Sequence, residues 1–497
     1  MTAEVSVRGG QYRDSVTLMQ LSRELSTVDG VEAAFVAMAT ELNLDLLAGM
    51  GFDRPAGATT NDMVVAIRAH GAALDAAHAR LAELLTARAS ATASDAADVA
   101  PRTVRSAARR LEGASLAMLS IPGRQVLPEA MDALDAGLSV LIFSDNVPVE
   151  HEIRLKDVAR ERGLLVMGPD CGTAVVHGVG LGFANVVRPG PIGLVAASGT
   201  GAQQLLCLLD GAGVGVAHCL GVGGRDMSTA VGGRSTHQAL DLLAADRATE
   251  VVVVVSKPPA PDVAQAISEH AATIGKPVVL AFLGSGQADL TAAAADVVRA
   301  AGGTWTEPRS WPAPVEPGGR YPFVRGLFAG GTLCDEAMVI AAAALGPIGS
   351  NIPLDPAWAL DDDLRTTGHA MIDFGDDRLT EGRPHPMIDP TLRLARIGAE
   401  AADPTCGVLL VDVVLGHAAH PDPAAGLVPA IRAAHARAAA DGRDLAVVVA
   451  LIGSDGDPQG RDAQAEAICT AGASVHLSNA AAARKAVALV GAPGSSR

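Results

Sequence analysis

The stretch Ile192–Gln204, IGLVAASGTGAQQ, decides the reading of this chain. Ile192 to Ala197 is a short apolar run that predicts a strand. Ser198, Gly199, Thr200 and Gly201 follow as a turn, and Ala202 to Gly211 predict a helix. A strand feeding a Gly-rich turn and a helix start builds an anion site, because the first helical N–H groups lack internal acceptors and the helix dipole adds partial positive charge. Glycine lets backbone come close to a phosphate, and the hydroxyls of Ser198 and Thr200 are suited to capping the helix or binding the anion. The same residues also suit an ordinary strand–helix turn that binds nothing.

Working outward, the alternation of apolar runs and helical spacing repeats along the chain and predicts α/β layers built on parallel sheets. Four segments emerge: a small α/β domain at 1–95, a second unit at 103–189, a third at 190–318 and a fourth at 321–497. The Ala/Ser-rich run 87–102 reads as a linker, as does the Pro-rich run from Trp311 to Pro317. Polar, Gly-rich loops follow the strands: Ser144-Asp145-Asn146, Gly221 to Asp226, Ser256-Lys257, Gly284 to Gly286, Ala329 to Thr332 and Gly416 to His420. Such loops meet on one edge of a sheet, where α/β proteins bind ligands.

Hydrophobic residues make up 49% and charged residues 19%, which suits large cores. A net charge of -17 argues against a nucleic-acid or anionic-membrane surface. The six cysteines are scattered without a CxxC pair, so no zinc or iron–sulfur site is expected, and no metal ligand set is assigned. Only four lysines occur: Lys156, Lys257, Lys276 and Lys485. No apolar run reaches membrane-spanning length and no signal-peptide pattern opens the chain, so a cytoplasmic location is expected. Arg225 and Asp226, with Gly224 before them, are candidates to line a substrate crevice or to form a surface ion pair. Arg383, His385 and Asp389 share one loop with a proline on either side of His385. An Arg fork there matches a carboxylate or phosphate, with His as acid or donor, and a structural turn is the alternative. Asp376-Asp377 suit either Mg²⁺ beside a phosphate or a capped turn. His417 and His420 read as loop histidines or as phosphorylation candidates.

With these residues laid out, the chain resembles the FdrA family, within the superfamily of succinyl-CoA synthetases and NDP-forming acyl-CoA synthetases. MGPDCGT (167–173), ASGTG (197–201) and GVGGRD (221–226) are similar to turns of the succinyl-CoA synthetase α subunit. VDVVLG (411–416) lies at the "NIFGG" position of the β subunit's carboxyl-terminal domain. FSDNVP (143–148), GGTLCDEA (330–337) and GRPHPMIDPTLR (382–393) resemble FdrA more specifically. The resemblance implies Rossmann-like and flavodoxin-like parallel-sheet domains: a CoA-binding-like domain at 103–189, a flavodoxin-type domain at 190–318 and a β-carboxyl-terminal-like domain at 321–497. It also implies two facing helix starts around a phosphate, one at Ser198 to Gly201 and one near Gly416. The synthetases' phosphohistidine loop reads LGSGQADLT here (283–291), without His. Neither a Walker A motif nor an ATP-grasp segment is evident.

The implied activity is oxamate carbamoyltransferase: oxalurate and phosphate give oxamate and carbamoyl phosphate, with one or two further subunits in a hetero-oligomer. Arg383 and His385 are its candidate catalytic residues, and Ser198, Gly199, Thr200, Gly201 and Gly416 its phosphate ligands. Gly224, Arg225, Asp226 and Asp389 are the candidate substrate contacts. No cofactor is firmly implied; phosphate or carbamoyl phosphate is the expected ligand, with CoA and Mg²⁺ as further candidates. The alternatives are an acyl-CoA synthetase and a non-catalytic ligand-binding scaffold.

Overall fold

The computed structural model describes residues 2–10, 13, 15–92, 101–315, 322–380 and 383–490. The chain divides into two units: Met1–Arg110 with Glu381–Pro384, and Leu111–Thr380 with His385–Arg497.

The first unit holds β1 (Thr2–Arg8), α1 (Ser15–Ser26), β2 (Val31–Met38), α2 (Glu41–Gly49), β3 (Met63–Ala69), α3 (Ala73–Thr92) and α4 (Val104–Ala108). Its antiparallel sheet has the order β1-β3-β2. The two-residue period of the central strand decides the packing. Met63, Val65 and Ile67 face Leu18, Leu21 and Leu25 of α1 and Leu81 of α3. Val64 and Ala66 face Leu44, Leu47 and Phe52. The expected linker at 87–102 starts inside α3, which runs to Thr92; 93–100 lie outside the described residues.

Among its described residues the second unit contains three sheets. β4 (Leu116–Leu119), β5 (Ser139–Ile142) and β6 (Val166–Met167) form a parallel sheet carrying α5 (Val126–Asp135) and α6 (Val149–Glu161). Next come β7 (Thr173–Val176), β8 (Val179–Gly182), β9 (Ile192–Ala197), α7 (Gly199–Gly211), β10 (Val216–Gly221), α8 (Arg234–Ala245), β11 (Val251–Ser256), α9 (Pro261–Ala271), β12 (Val278–Phe282) and α10 (Leu290–Ala300). Their sheet has the order β12-β11-β9-β10-β7-β8. The hairpin β7–β8, read from sequence as part of the 103–189 segment, pairs antiparallel with β10 and so joins this sheet. Valines explain the middle of the sheet: Val253 and Val255 enter the core on one face, Val252 and Val254 that on the other. A continuous apolar run is what a strand covered on both faces requires.

The third sheet has the order β13-β18-β17-β16-β14-β15. Its elements are β13 (Ser310–Trp311), β14 (Phe323–Phe328), α11 (Gly331–Leu345), β15 (Ala370–Asp373), α12 (Asp377–Thr380), α13 (Thr391–Ala402), β16 (Cys406–Val414), α14 (Pro423–Ala440), β17 (Ala446–Ile452), α15 (Arg461–Thr470), β18 (Ser474–His476) and α16 (Asn479–Leu489). All pairings are parallel except β13 with β18. Trp311, expected in a linker, is therefore an edge-strand residue buried in this sheet's core; its bulk seals the sheet edge, and the expected linker beyond 315 lies outside the described residues. Among the described residues no helix is long and apolar enough to cross a membrane.

Candidate functional site

β9 ends at Ala197, and Ser198 caps α7 with extended backbone at φ −160°. Its Oγ accepts from the Gly201 N–H at 2.9 Å and lies 2.7 Å from Thr332 Oγ1. Gly201 is sterically required, since a Cβ there would sit 2.4 Å from Ser198 Oγ. Gly199 is not crowded: its nearest neighbour would be Thr173 Oγ1 at 3.7 Å.

Thr332 belongs to α11, the helix that follows β14. Its start is shaped from below by Asp412 of β16, whose carboxylate accepts from Ala329 N–H at 2.7 Å and Gly330 N–H at 2.9 Å. Arg393 donates to the Asp412 carbonyl at 2.7 Å and to its carboxylate. Gly330 at the N-cap has no side chain to offer, so the first amides of α11 are left without a cap. A Cβ on Gly330 would meet the Thr200 side chain at 2.7 Å. The starts of α7 and α11 thus touch, each behind a strand of a different sheet.

Charged groups gather beside α11. Lys257, just past β11, places Nζ 3.4 Å from Asp335 Oδ2, with its side chain 43% exposed. A Cβ on Gly331 would lie 2.8 Å from Lys257 Nζ and 2.6 Å from Asp373 Oδ2. Desolvation opposes the Lys257 charge, but Asp335 and Asp373 outweigh it and hold the amine above its ordinary value. Burial pushes the Asp373 carboxyl up to about 7, with Asp412 and Asp335 adding to the rise and Lys257 resisting it. Burial also raises Asp335. Asp170, after β6, is pushed up to about 7 by desolvation first and then by the carboxylates of Asp377 and Asp145, against Lys257 and Arg225. Burial, then Asp145 and Asp376, raises Asp377.

The residues expected from sequence divide accordingly. Ser198 to Gly201 form the expected turn between β9 and α7. Gly416 does not start the second helix. Its amide donates to Gln459 Oε1 at 3.1 Å, a Cβ there would meet the Ala184 carbonyl at 2.6 Å, and α14 begins only after Asp422. The facing helix start is α11. Gly224 and Arg225 are exposed, with Arg225 held by the Val147 carbonyl at 2.8 Å and Glu152 at 3.0 Å. Asp226 is fully buried, and Lys156 with the α8 start (Ser235 and Thr236) occupies both its oxygens. That makes it a structural anchor rather than a substrate contact. Asp389 accepts from Thr391 N–H at 3.0 Å and from its hydroxyl, so it caps a turn.

His385 lies in the second unit, its ring 5.6 Å from that of Phe183 and its Nδ1 accepting from Met387 N–H at 3.2 Å. Burial, with help from Arg393, lowers it to about 4, so it is neutral at pH 7, a donor through Nε2–H rather than an acid. Arg383 is exposed and falls in the first unit. The His417 amide donates to Ala184, and the His420 amide to Met387. Asp376 accepts from Arg378 N–H, the capped-turn alternative. No group of three His, Cys, Asp or Glu residues suited to a metal occurs among the described residues.

Sequence reasoning placed Lys257 and Thr332 in loops at strand ends without giving either a role, and did not single out Asp373 or Asp412. Two signals were available: a second strand–Gly-Gly–helix run at Phe328 to Leu333, and Lys257 standing after a strand in a lysine-poor chain.

Over 496 residues the chain is 39% identical to the uncharacterized protein YahF of Escherichia coli (strain K12), covering 95% of each. The chain belongs to the YahF family. Within it, residues 1–101 match the AllF heavy metal-associated domain and residues 327–489 the CoA-ligase domain. A further relative is the succinate–CoA ligase [ADP-forming] subunit alpha 2 of Archaeoglobus fulgidus, 27% identical over 181 residues; the match spans 36% of this chain and 61% of that one. Among solved structures, dinucleotide-forming acetyl-coenzyme A synthetase 1 of Ca. Korarchaeum cryptofilum in complex with phosphate and ADP is 16% identical, covering 76% of this chain and 84% of that one at a TM-score of 0.29. The first unit has no thiolate to offer a metal, since the earliest cysteine of the chain is Cys171.

Proposed function

We propose that this chain transfers an acyl group to and from phosphate on a CoA-ligase scaffold, as an FdrA-type oxamate carbamoyltransferase subunit that acts with further subunits in the cytoplasm. The observation that carries the reading is the meeting of two helix starts at Ser198 and Thr332, with Lys257 beside them. In the same chain the loop 284–290 has no His to carry a phosphoryl group. A phosphate held by the α7 and α11 amides attacks the carbamoyl carbon of oxalurate. Fixed backbone donors and Lys257 stabilise the charge that develops, and positioning supplies much of the remaining rate. Arg225, exposed like Arg383 but in the same unit as the two helix starts, is the group we assign to the substrate carboxylate.

A second reading, an acyl-CoA synthetase, is favoured by the CoA-ligase match at 327–489. The turns after β4 and β5 close on one another, however: a Cβ on Gly123 would lie 2.3 Å from the Asp145 carbonyl. No step is routed through CoA or through Mg²⁺. The test is product analysis of the full chain purified with its native partners. Carbamoyl phosphate from oxalurate and phosphate is the expected product. Acyl-CoA from a carboxylic acid, ATP and CoA would replace this reading with the second, and neither product would leave a ligand-binding scaffold.

A further inference from the structure

Asp373 ends β15, and the backbone fixes its two oxygens differently. Oδ1 accepts from Gly375 N–H at 2.8 Å, closing the turn after the strand. Oδ2 accepts no hydrogen bond from a described residue, although Asp373 is only 5% exposed. It points at the α11 start, 2.6 Å from where a Gly331 Cβ would stand, and the same point is 2.8 Å from Lys257 Nζ. Gly331 leaves this space open. One residue further along α11 is Thr332, whose hydroxyl meets Ser198 of the opposite helix. An anion at the two helix starts therefore has Lys257 on one side and an unpaired carboxyl oxygen on the other.

From this placement we infer that Asp373 is the general acid–base of the site, passing a proton between the attacking phosphate and the leaving nitrogen. The role rests on the acyl-phosphate reading above. The balance is as follows. A phosphate oxygen forms the new C–O bond to the carbamoyl carbon, and the carbon–nitrogen bond to oxamate breaks. Protonated Asp373 gives its proton to that nitrogen, which leaves as the amide of oxamate. The attacking phosphate loses a proton as it bonds, and the Asp373 carboxylate takes it. Nothing is oxidised or reduced, and the acid returns to its starting state.

The surroundings suit the task. Asp335 from α11 and Asp412 from β16 face Asp373 as like charges, and Lys257, just past β11, faces it as the opposite one. Neutral His385 stands beyond Gly375, its Nε2 2.9 Å from the position of a Gly375 Cβ. Burial and the two carboxylates bring the acid to about 7, where it both gives and takes a proton at physiological pH.

The test uses the full chain with its native partners, labelled phosphate, carbamoyl phosphate and oxamate. Label exchange into carbamoyl phosphate should fall on the alkaline side with the ionisation of Asp373. Asp373→Asn retains the Gly375 contact and should lower exchange by about 10²–10⁴-fold, remove that alkaline limb and leave phosphate binding by calorimetry unweakened. Lys257→Met removes the charge that holds Asp373 down, so the limb should move to higher pH. Phosphate binding that persists while Asp373→Asn keeps both turnover and limb overturns the acid–base role alone. A wild-type protein that neither binds phosphate nor exchanges label overturns the acyl-phosphate reading and this role together.

Discussion

α7 and α11 begin alike in sequence, Ser-Gly-Thr-Gly against Ala-Gly-Gly-Thr, but their ends are built on different plans. α7 caps itself: Ser198 accepts from the amide three residues on, a bond that never leaves the turn. α11 has no cap of its own and is shaped by Asp412 from a neighbouring strand. Self-capping uses up one donor of α7 and makes its start locally stable. Capping from below orients the backbone of α11 without covering its first amides, and Lys257 and Asp373 gather there. Hence the more self-evident motif is the more self-contained one, and the reactive groups cluster at the other end.

The largest expected effect falls on the α11 side. Asp412→Ala would remove the acceptor of two buried amides and leave Arg393, only 6% exposed, without its counter-charge. Breaking a buried pair from one side costs about 3–5 kcal/mol. Denaturant unfolding should show that loss, whereas a loss below about 1 kcal/mol would mean that the α11 start holds itself and the contrast with α7 fails.

The layered α/β architecture was legible because valine runs such as Val251 to Val255 can belong only to strands covered on both faces. The anchor turn was legible for the same reason: strand, glycines and helix lie within thirteen residues of chain. What sequence could not give was partnership across the chain. Asp412 sits 82 residues from Gly330, and Ser198 sits 134 from Thr332. No local periodicity carries such pairings, and the resemblance to the β-subunit domain put the second helix start near Gly416, where the strand ends but no helix begins. Trp311 was misread because prolines follow it, although a two-residue edge strand needs only one pairing partner. Asp226 misled in the opposite way: a charged residue in a Gly-rich loop looks available until Lys156, far away in sequence, is seen to bind it.

The next effect tests His385, which packs beside Gly375 on the Asp373 side. Its folded value, about 4, lies below the ordinary 6.5, chiefly through burial. The unfolded chain takes up a proton first as pH falls. The stability that a neutral His385 contributes is complete above pH 6.5 and lost as pH drops towards 4, by no more than about 3 kcal/mol. His385→Phe keeps the ring packing against Phe183 without the titration, so its unfolding free energy should fall less across that range. Equal acid losses in the two proteins would show that this imidazole titrates freely and is no buried donor.

The smallest effect belongs to α7. Ser198→Ala removes the cap to Gly201 and the hydroxyl that meets Thr332, which should cost about 0.5–2 kcal/mol, the range for loss of an N-cap. Gly199→Ala is the complementary change. A Cβ there meets nothing nearer than 3.7 Å and the backbone is not left-handed, so the fold should hold; replacing a helical glycine even favours it slightly. Yet that methyl group stands where a bound phosphate must approach the first amides of α7. If both helix starts hold the anion, Gly199→Ala should weaken phosphate binding while stability is kept, and Ser198→Ala should lower stability more than affinity. If Gly199→Ala leaves phosphate affinity untouched, α7 is only the wall against which α11 works. The anion then belongs to the uncapped helix, Lys257 and Asp373, which carries the difference between the two ends to its limit.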